Sequence, residues 1–208
     1  MKMIYAIIPV KPLHESKTRL AHLLSPTERA VLIGLFFRQT MATLQKTAVS
    51  HIVVISRDEA VLAQAQAAGV STLYEKRPFS LNSAVSQART WAVRQGATSI
   101  LILPTDLPFL HTADITAMLT AAQTHSAPSL MVICGDERQQ GTNGLLLTPP
   151  SPFTFHYGPY SFTRHHEEAA QNGRSVCVVN GRSLQFDLDT EADWQRLSNY
   201  EFLKPHYF

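Results

Sequence analysis

Three aspartates are the residues of this chain best placed to do chemistry. Asp106 follows the apolar run Ile100-Leu101-Ile102-Leu103 and Pro104. A short continuous apolar run reads as a strand buried on both faces, as in parallel sheets. Asp106 would then present a carboxylate at the C-terminal edge of that strand, where open α/β sheets bind ligands. It is a candidate metal or substrate contact; the alternative is a plain turn or helix cap, which Asp also favours. Asp187 and Asp189 form a D-x-D pair that ends a short strand expected over Leu184 to Asp189. Side chains two apart on a strand share a face, so both carboxylates are expected to look into one site. They would repel unless a cation or hydrogen-bond donors neutralise them. Magnesium suits such hard oxygen donors. Asp189 or Thr190 could cap the last helix, but capping does not account for Asp187.

Cations and small polar residues supply the complement. Lys17 and Arg19 lie in the loop after the first strand, a usual place for phosphate recognition in this topology. That loop contains no glycine, so it is neither a dinucleotide fingerprint nor a P-loop. Phosphate binding would rest on the two side chains and on free backbone N–H groups; a solvated basic loop is the alternative. Gly141-Thr142-Asn143 precedes a strand. Tyr157-Gly158-Pro159-Tyr160-Ser161 opens a helix, whose N-terminus suits an anion. Gly158 would let the backbone approach closely, and Ser161 offers a hydroxyl or a cap. Asn82, at a strand-to-helix turn, could read a base edge or cap its helix. His165 and His166 are adjacent, point in different directions and lack the i, i+4 spacing of a metal pair. At least one of them is expected at the surface.

The elements that position these groups are expected to alternate. Ile4 to Val10 is a strand. Ser25-Pro26-Thr27-Glu28 is a capping box with proline at the first helical position, opening a helix to about Lys46. His51 to Ile55 is a strand, Ser56 and Glu59 repeat the capping-box spacing for a helix to Ala68, and Gly69 ends it. Val70 to Tyr74 is a strand, Leu81 to Gln95 a helix, and Ile100 to Leu103 the fourth strand. This repetition predicts a parallel, doubly wound sheet with helices on both faces. Later come a helix near Asp114 to Thr124, strands at Leu130 to Cys134 and Gly144 to Thr148, a helix from Ser161 to Gln171, a strand at Val176 to Val179 and the D-x-D strand. Hairpin-like pairing in this half predicts a mixed sheet. With no repeat or linker, residues 1–208 are expected to form one domain.

Composition bounds the rest. The 208 residues are 45% hydrophobic and 16% charged, with a formal net charge of +2. Such a chain can build a large core, and without a basic block it is not expected to bind nucleic acid. Cys134 and Cys177 lie in apolar runs and are expected as buried free thiols. The N-terminal apolar run is short for a signal peptide, and no run reaches transmembrane length. A reducing cytoplasm without membrane attachment is the expected setting. The aromatic tail after Tyr200 suggests packing either on the body or on a second subunit, the latter making a homodimer.

The segments I-P-V-K-P-L-H-E-S-K-T-R-L-A, L-N-S-A-V, P-T-D-L-P, G-T-N-G-L-L, Y-G-P-Y-S-F-T-R-H and D-L-D-T-E-A-D follow one another over nearly the whole chain. Together they resemble the 2-phospho-L-lactate and phosphoenolpyruvate guanylyltransferases of coenzyme F420 biosynthesis. That family belongs to the molybdenum-cofactor guanylyltransferase-like and sugar nucleotidyltransferases. The resemblance implies a single-domain, Rossmann-like three-layer α/β/α sandwich of nucleotide-diphospho-sugar transferase type with a mostly parallel mixed sheet. It implies GTP as donor and a phosphorylated three-carbon acid as acceptor: phosphoenolpyruvate, 2-phospho-L-lactate or 3-phosphoglycerate. By motif, Thr142, Gly158 and Ser161 would hold the acceptor, and Asp106, Asp187 and Asp189 would hold two Mg2+ ions. Lys17 and Arg19 would contact the triphosphate, and Asn82 would lie near the guanine. A deazaflavin transferase of the same pathway would take the product. The chain departs from the family pattern at Ser80 and Tyr160, where glycine is usual. The readings that compete are a nucleotidyltransferase for a sugar or pterin phosphate and a non-catalytic nucleotide-binding module.

Overall fold

The structure is a computed structural model that describes residues 3–198. One seven-stranded sheet runs through it: β1 (Ile4–Pro9), β2 (His51–Ser56), β3 (Ser71–Tyr74), β4 (Ser99–Ile102), β5 (Leu130–Gly135), β6 (Thr142–Thr148) and β7 (Ser175–Val178), in the order β3-β2-β1-β4-β6-β5-β7. The pairs β1–β2, β2–β3, β1–β4 and β5–β7 are parallel. Only β6 runs against its neighbours, so the expected mostly parallel mixed sheet is present. From β1 the chain winds outward to β3 and then returns to lay β4 on the other side. That reversal opens a crevice beyond the C-terminal ends of β1 and β4.

Helices cover both faces, which is why the strands read as continuous apolar runs. Ile4, Ala6 and Ile8 of β1 join one core, with α1 (Pro26–Leu44), α2 (Glu59–Ala67) and α4 (Thr112–Thr124). Tyr5 and Ile7 point the other way, into a second core under α3 (Leu81–Arg94) and α5 (Ser161–Gln171). This alternation with period two on a doubly covered sheet makes three layers. No helix among the described residues is long and apolar enough to cross a membrane. Both cysteines are free thiols; Cys134 is buried but Cys177 only half-buried. The aromatic tail lies outside the described residues.

Three local expectations need correction. The cap of α2 is Asp58, whose carboxylate accepts from the N–H groups of Ala60 and Val61. Ser56 is still in the sheet, where it pairs with Tyr74, so it cannot cap. Thr142 and Asn143 belong to β6 rather than preceding it. The strand expected over Leu184 to Asp189 is absent. Arg182–Gln185 is a single helical turn, α6, and the chain then runs as irregular backbone to α7 (Glu191–Ser198). Leu184, Phe186 and Leu188 are buried as the alternation implied. Their segment has no ladder because the Leu184 and Gln185 carbonyls accept instead from the Asn143 amide, at 3.1 and 3.2 Å.

Candidate active site

Lys17 holds the centre of the crevice. It follows β1 in the left-handed region (φ 52°), just before a short 3-10 turn, Thr18–Leu20. Such a conformation in a non-glycine residue persists only where surroundings impose it. Its side chain is 7% exposed, and its ammonium lies 2.6 Å from Asp106 Oδ2 and 3.4 Å from Asp189 Oδ1. Burial alone would push the lysine pKa down; Asp106 and Asp189 outweigh it and hold the pKa above its ordinary value, with a smaller contribution from Asp187. Arg19 reaches Asp189 Oδ2 at 2.6 Å from a largely exposed position.

The D-x-D segment is positioned by tertiary bonds, not by strand periodicity. Leu188 N–H donates to the Asp106 carbonyl at 3.0 Å, tying the two acidic loops together. Asn143 Nδ2 lies 3.4 Å from Asp187 Oδ1. Thr190 caps α7 through reciprocal bonds with Asp193, which also accepts from Asp189 N–H. Burial, followed by the neighbouring Asp106 carboxylate, pushes the Asp187 pKa up to about 6. Three carboxylates thus face two cations, and the carboxyl groups are short of positive charge. Their hard oxygens suit a divalent ion in donor chemistry. As placed, they are a cluster neutralised by lysine rather than a closed cage: no three metal-ligating side chains among the described residues converge on one point.

The opposite wall is neutral and buried. Thr142, Gly158 and Ser161 line the same cleft of about 540 Å3 as Asp106, Asp187 and Asp189. Gly158 has φ 128°, which a side chain would resist. Ser161 Oγ lies 3.1 Å from Thr142 Oγ1, which lies 3.1 Å from His165 Nδ1. Little in the sequence marks His165 as a site residue, yet it is fully buried, and burial foremost pushes its pKa down to about 3. Its signal in the sequence was weak: a histidine one turn past Ser161 on a helix. At least one of the two histidines is expected at the surface, but His165 is buried and His166 is half-buried, with Nδ1 2.9 Å from the Phe162 carbonyl.

Both polar atoms of the Asn82 side chain are engaged within the protein. Its Oδ1 accepts from Tyr157 N–H at 2.7 Å and its Nδ2 donates to the Tyr157 carbonyl at 3.0 Å. Both amide groups thus clamp the loop that carries Gly158. Ser80, at a usual glycine position, has extended backbone (φ −157°) and caps α3 through Ser83 N–H. Tyr160 occupies the other glycine position with φ 58° and stays exposed at the cleft rim.

The fold, with its sheet reversal, is shared with solved structures. A Desulfovibrio desulfuricans protein assigned to the nucleotide-diphospho-sugar transferases superposes with a TM-score of 0.75 over 100% of this chain and 90% of its own, at 16% identity. The fold is therefore that of the nucleotide-diphospho-sugar transferases. Residues 4–199 match the family described as guanylyl transferase, CofC like, and the chain belongs to that family. Two relatives carry more specific names. The phosphoenolpyruvate guanylyltransferase of Rubrobacter xylanophilus is 37% identical over 93% of each chain. The 2-phospho-L-lactate guanylyltransferase of Methanothermobacter thermautotrophicus is 34% identical over 90% of this chain and 81% of its own.

Proposed function

We propose that the chain transfers GMP from GTP to the phosphate of a three-carbon phospho-acid, phosphoenolpyruvate or 2-phospho-L-lactate, in the cytoplasm, as a step toward coenzyme F420. The observation that carries this reading is a Lys17–Asp106–Asp189 cluster whose two carboxylates also line the cleft of the neutral Thr142–Gly158–Ser161 corner. A phosphate oxygen of the acceptor attacks the α-phosphorus of GTP. The new P–O bond forms as the α–β bridging bond breaks, and the electron pair leaves with pyrophosphate. The nucleophile is already an anion at neutral pH, so no residue need remove a proton. Alignment and neutralisation of charge are what the protein must provide.

Lys17 and Arg19 contact the triphosphate and stabilise the departing pyrophosphate. Asp106, Asp187 and Asp189 would hold Mg2+, two ions in this reading, which would screen the phosphates from one another. Thr142, Gly158 and Ser161 bind the acceptor, and Asn82 contributes by holding their loop. The test is pyrophosphate release from GTP and Mg2+ with phosphoenolpyruvate, 2-phospho-L-lactate and 3-phosphoglycerate in parallel, with the next transferase of the pathway as a trap. Release that requires one of the first two acids is expected. Release with none, while GTP still binds, would replace this reading by a nucleotide-binding module without turnover.

A further inference from the structure

We propose that His165 is a positioning residue that commits one hydroxyl hydrogen of the Thr142–Ser161 pair to the cleft as a donor for the acceptor's anionic oxygens. This deepens the reading of the acceptor corner given above and rests on it. The hydrogens available fix the direction of each bond. The backbone N–H of His156 points at His165 Nε2 at 3.0 Å. That nitrogen must accept, so in a neutral ring the proton sits on Nδ1. Nδ1 faces Thr142 Oγ1 at 3.1 Å and donates to it. Thr142 and Ser161 own two hydroxyl hydrogens, and the 3.1 Å contact between them uses one.

Neither can point back at the histidine, because Nδ1–H already fills that direction. Among the described residues no other protein acceptor lies within reach of either hydroxyl, and both residues line the cleft. The remaining hydrogen is therefore left for a ligand. A histidine of the other tautomer would accept from Thr142 and turn the pair inward. The imidazole is fully buried and stays neutral, since burial depresses its basicity. The backbone N–H of His156 thus sets the polarity of the relay, and neither hydroxyl could do so alone.

The first test uses the unaltered full-length chain. Ring 15N shifts of His165 at pH 7, assigned through ring-to-backbone correlations, are expected to show protonated Nδ1 and bare Nε2. An Nε2–H tautomer overturns the proposal. The second test is steady-state pyrophosphate release with His165→Leu, His165→Gln and His165→Asn. Asn sets its amide nitrogen near the place of Nδ1, whereas Gln sets it near Nε2. Without the Nδ1–H donor the orientation of the hydroxyl pair is no longer fixed, and at the worth of one neutral hydrogen bond KM for phosphoenolpyruvate should rise about two- to tenfold in the Leu and Gln variants, no more than loss of the Thr142 hydroxyl itself. KM for GTP should hardly move, and Asn should restore most of the loss.

A purely structural role would lower the active fraction, hence kcat, and leave KM alone; equal KM values across the set overturn the proposal. If the Leu variant does not fold, Asn against Gln decides in the same way. Thr142→Val separates the two levels of inference. If it raises KM for phosphoenolpyruvate while His165→Leu does not, only the role of His165 fails. If it changes nothing in an active enzyme, the acceptor corner itself is misplaced and both fail.

Discussion

On one wall of the cleft an ammonium sits 2.6 Å from one carboxylate and 3.4 Å from another, with Arg19 reaching in from solvent. At the other wall Thr142 and Ser161, with His165 behind them, are neutral, buried and hydrogen-bonded to one another and to backbone. Both walls are proposed to meet anions. The charged wall must exchange partners, because Lys17 can turn to a phosphate only as its carboxylates find another cation. The neutral wall need not rearrange: its donors are in place before the ligand arrives and cost no reorganisation. Substitutions on the first wall should therefore act on turnover, and those on the second on acceptor affinity and on stability.

The most severe break in this comparison is Asp106→Asn. Losing this carboxylate beside Lys17 should lower turnover at least ~10²-fold, the scale of a lost electrostatic contribution at a reacting centre. Pyrophosphate release at saturating substrates checks it, and near-normal turnover would remove Asp106 from the charged wall.

The neutral wall makes a prediction about pH. The unfolded chain protonates His165 at the ordinary value near 6.5, whereas the folded chain does so only at about 3. Between those values the unfolded state binds more protons, so this residue's contribution to stability falls as pH falls. From pH 7 to pH 4.5 the loss attributable to it is about 2–3 kcal/mol. Urea midpoints of the parent chain and of His165→Asn at both pH values measure it. The parent should lose more stability than the variant, and parallel losses would refute the assignment of a buried neutral imidazole.

Thr142→Val tests the same wall through binding. It keeps the side chain's shape and removes one hydroxyl, and should raise KM for the phospho-acid by about tenfold, the worth of one hydrogen bond. KM for GTP should stay put; a matching rise in both would mean that the two walls are not separate.

The smallest effects concern the two departures from glycine. Ser80 caps α3, so Ser80→Ala should cost about 1 kcal/mol in thermal or urea unfolding. Tyr160 bears a left-handed backbone that glycine adopts freely, so Tyr160→Gly should be neutral or stabilising by up to about 1 kcal/mol. Opposite signs at two positions of the same family pattern would show that one departure is a gain in capping and the other a local strain.

Much of the scaffold was legible because its signals are local. The capping box at Ser25 and Glu28 forms as its spacing implies, with bonds of 3.3 and 2.8 Å. The apolar runs of β1, β2, β4 and β5 announce a sheet covered on both sides. The D-x-D segment misled because Leu184, Phe186 and Leu188 alternate as a strand does and are indeed buried. Alternation reports burial, whereas a strand also needs a ladder. The ladder here is replaced by the side chain of Asn143, 41 residues away. The helix start at Asp58 was mistaken by two positions for a similar reason: pairing of Ser56 with β3 kept the chain extended past the expected cap.

The candidate site divides along the same line. Residue types and order along the chain were enough to single out Lys17, Asp106, Thr142, Gly158, Ser161 and the D-x-D pair, because charge, hydroxyl and glycine are properties of residues. What each group touches depends on distance, and only the tertiary structure sets distance. Lys17 meets Asp189 across 172 positions of sequence, and Asn82 spends both amide groups on a loop 75 residues on. His165 shows the contrast most clearly. In the sequence it is one of two adjacent histidines with no metal spacing. In the fold, burial makes it neutral and a backbone N–H selects its tautomer. Those two properties belong to its surroundings, so no reading of its own letter could have supplied them.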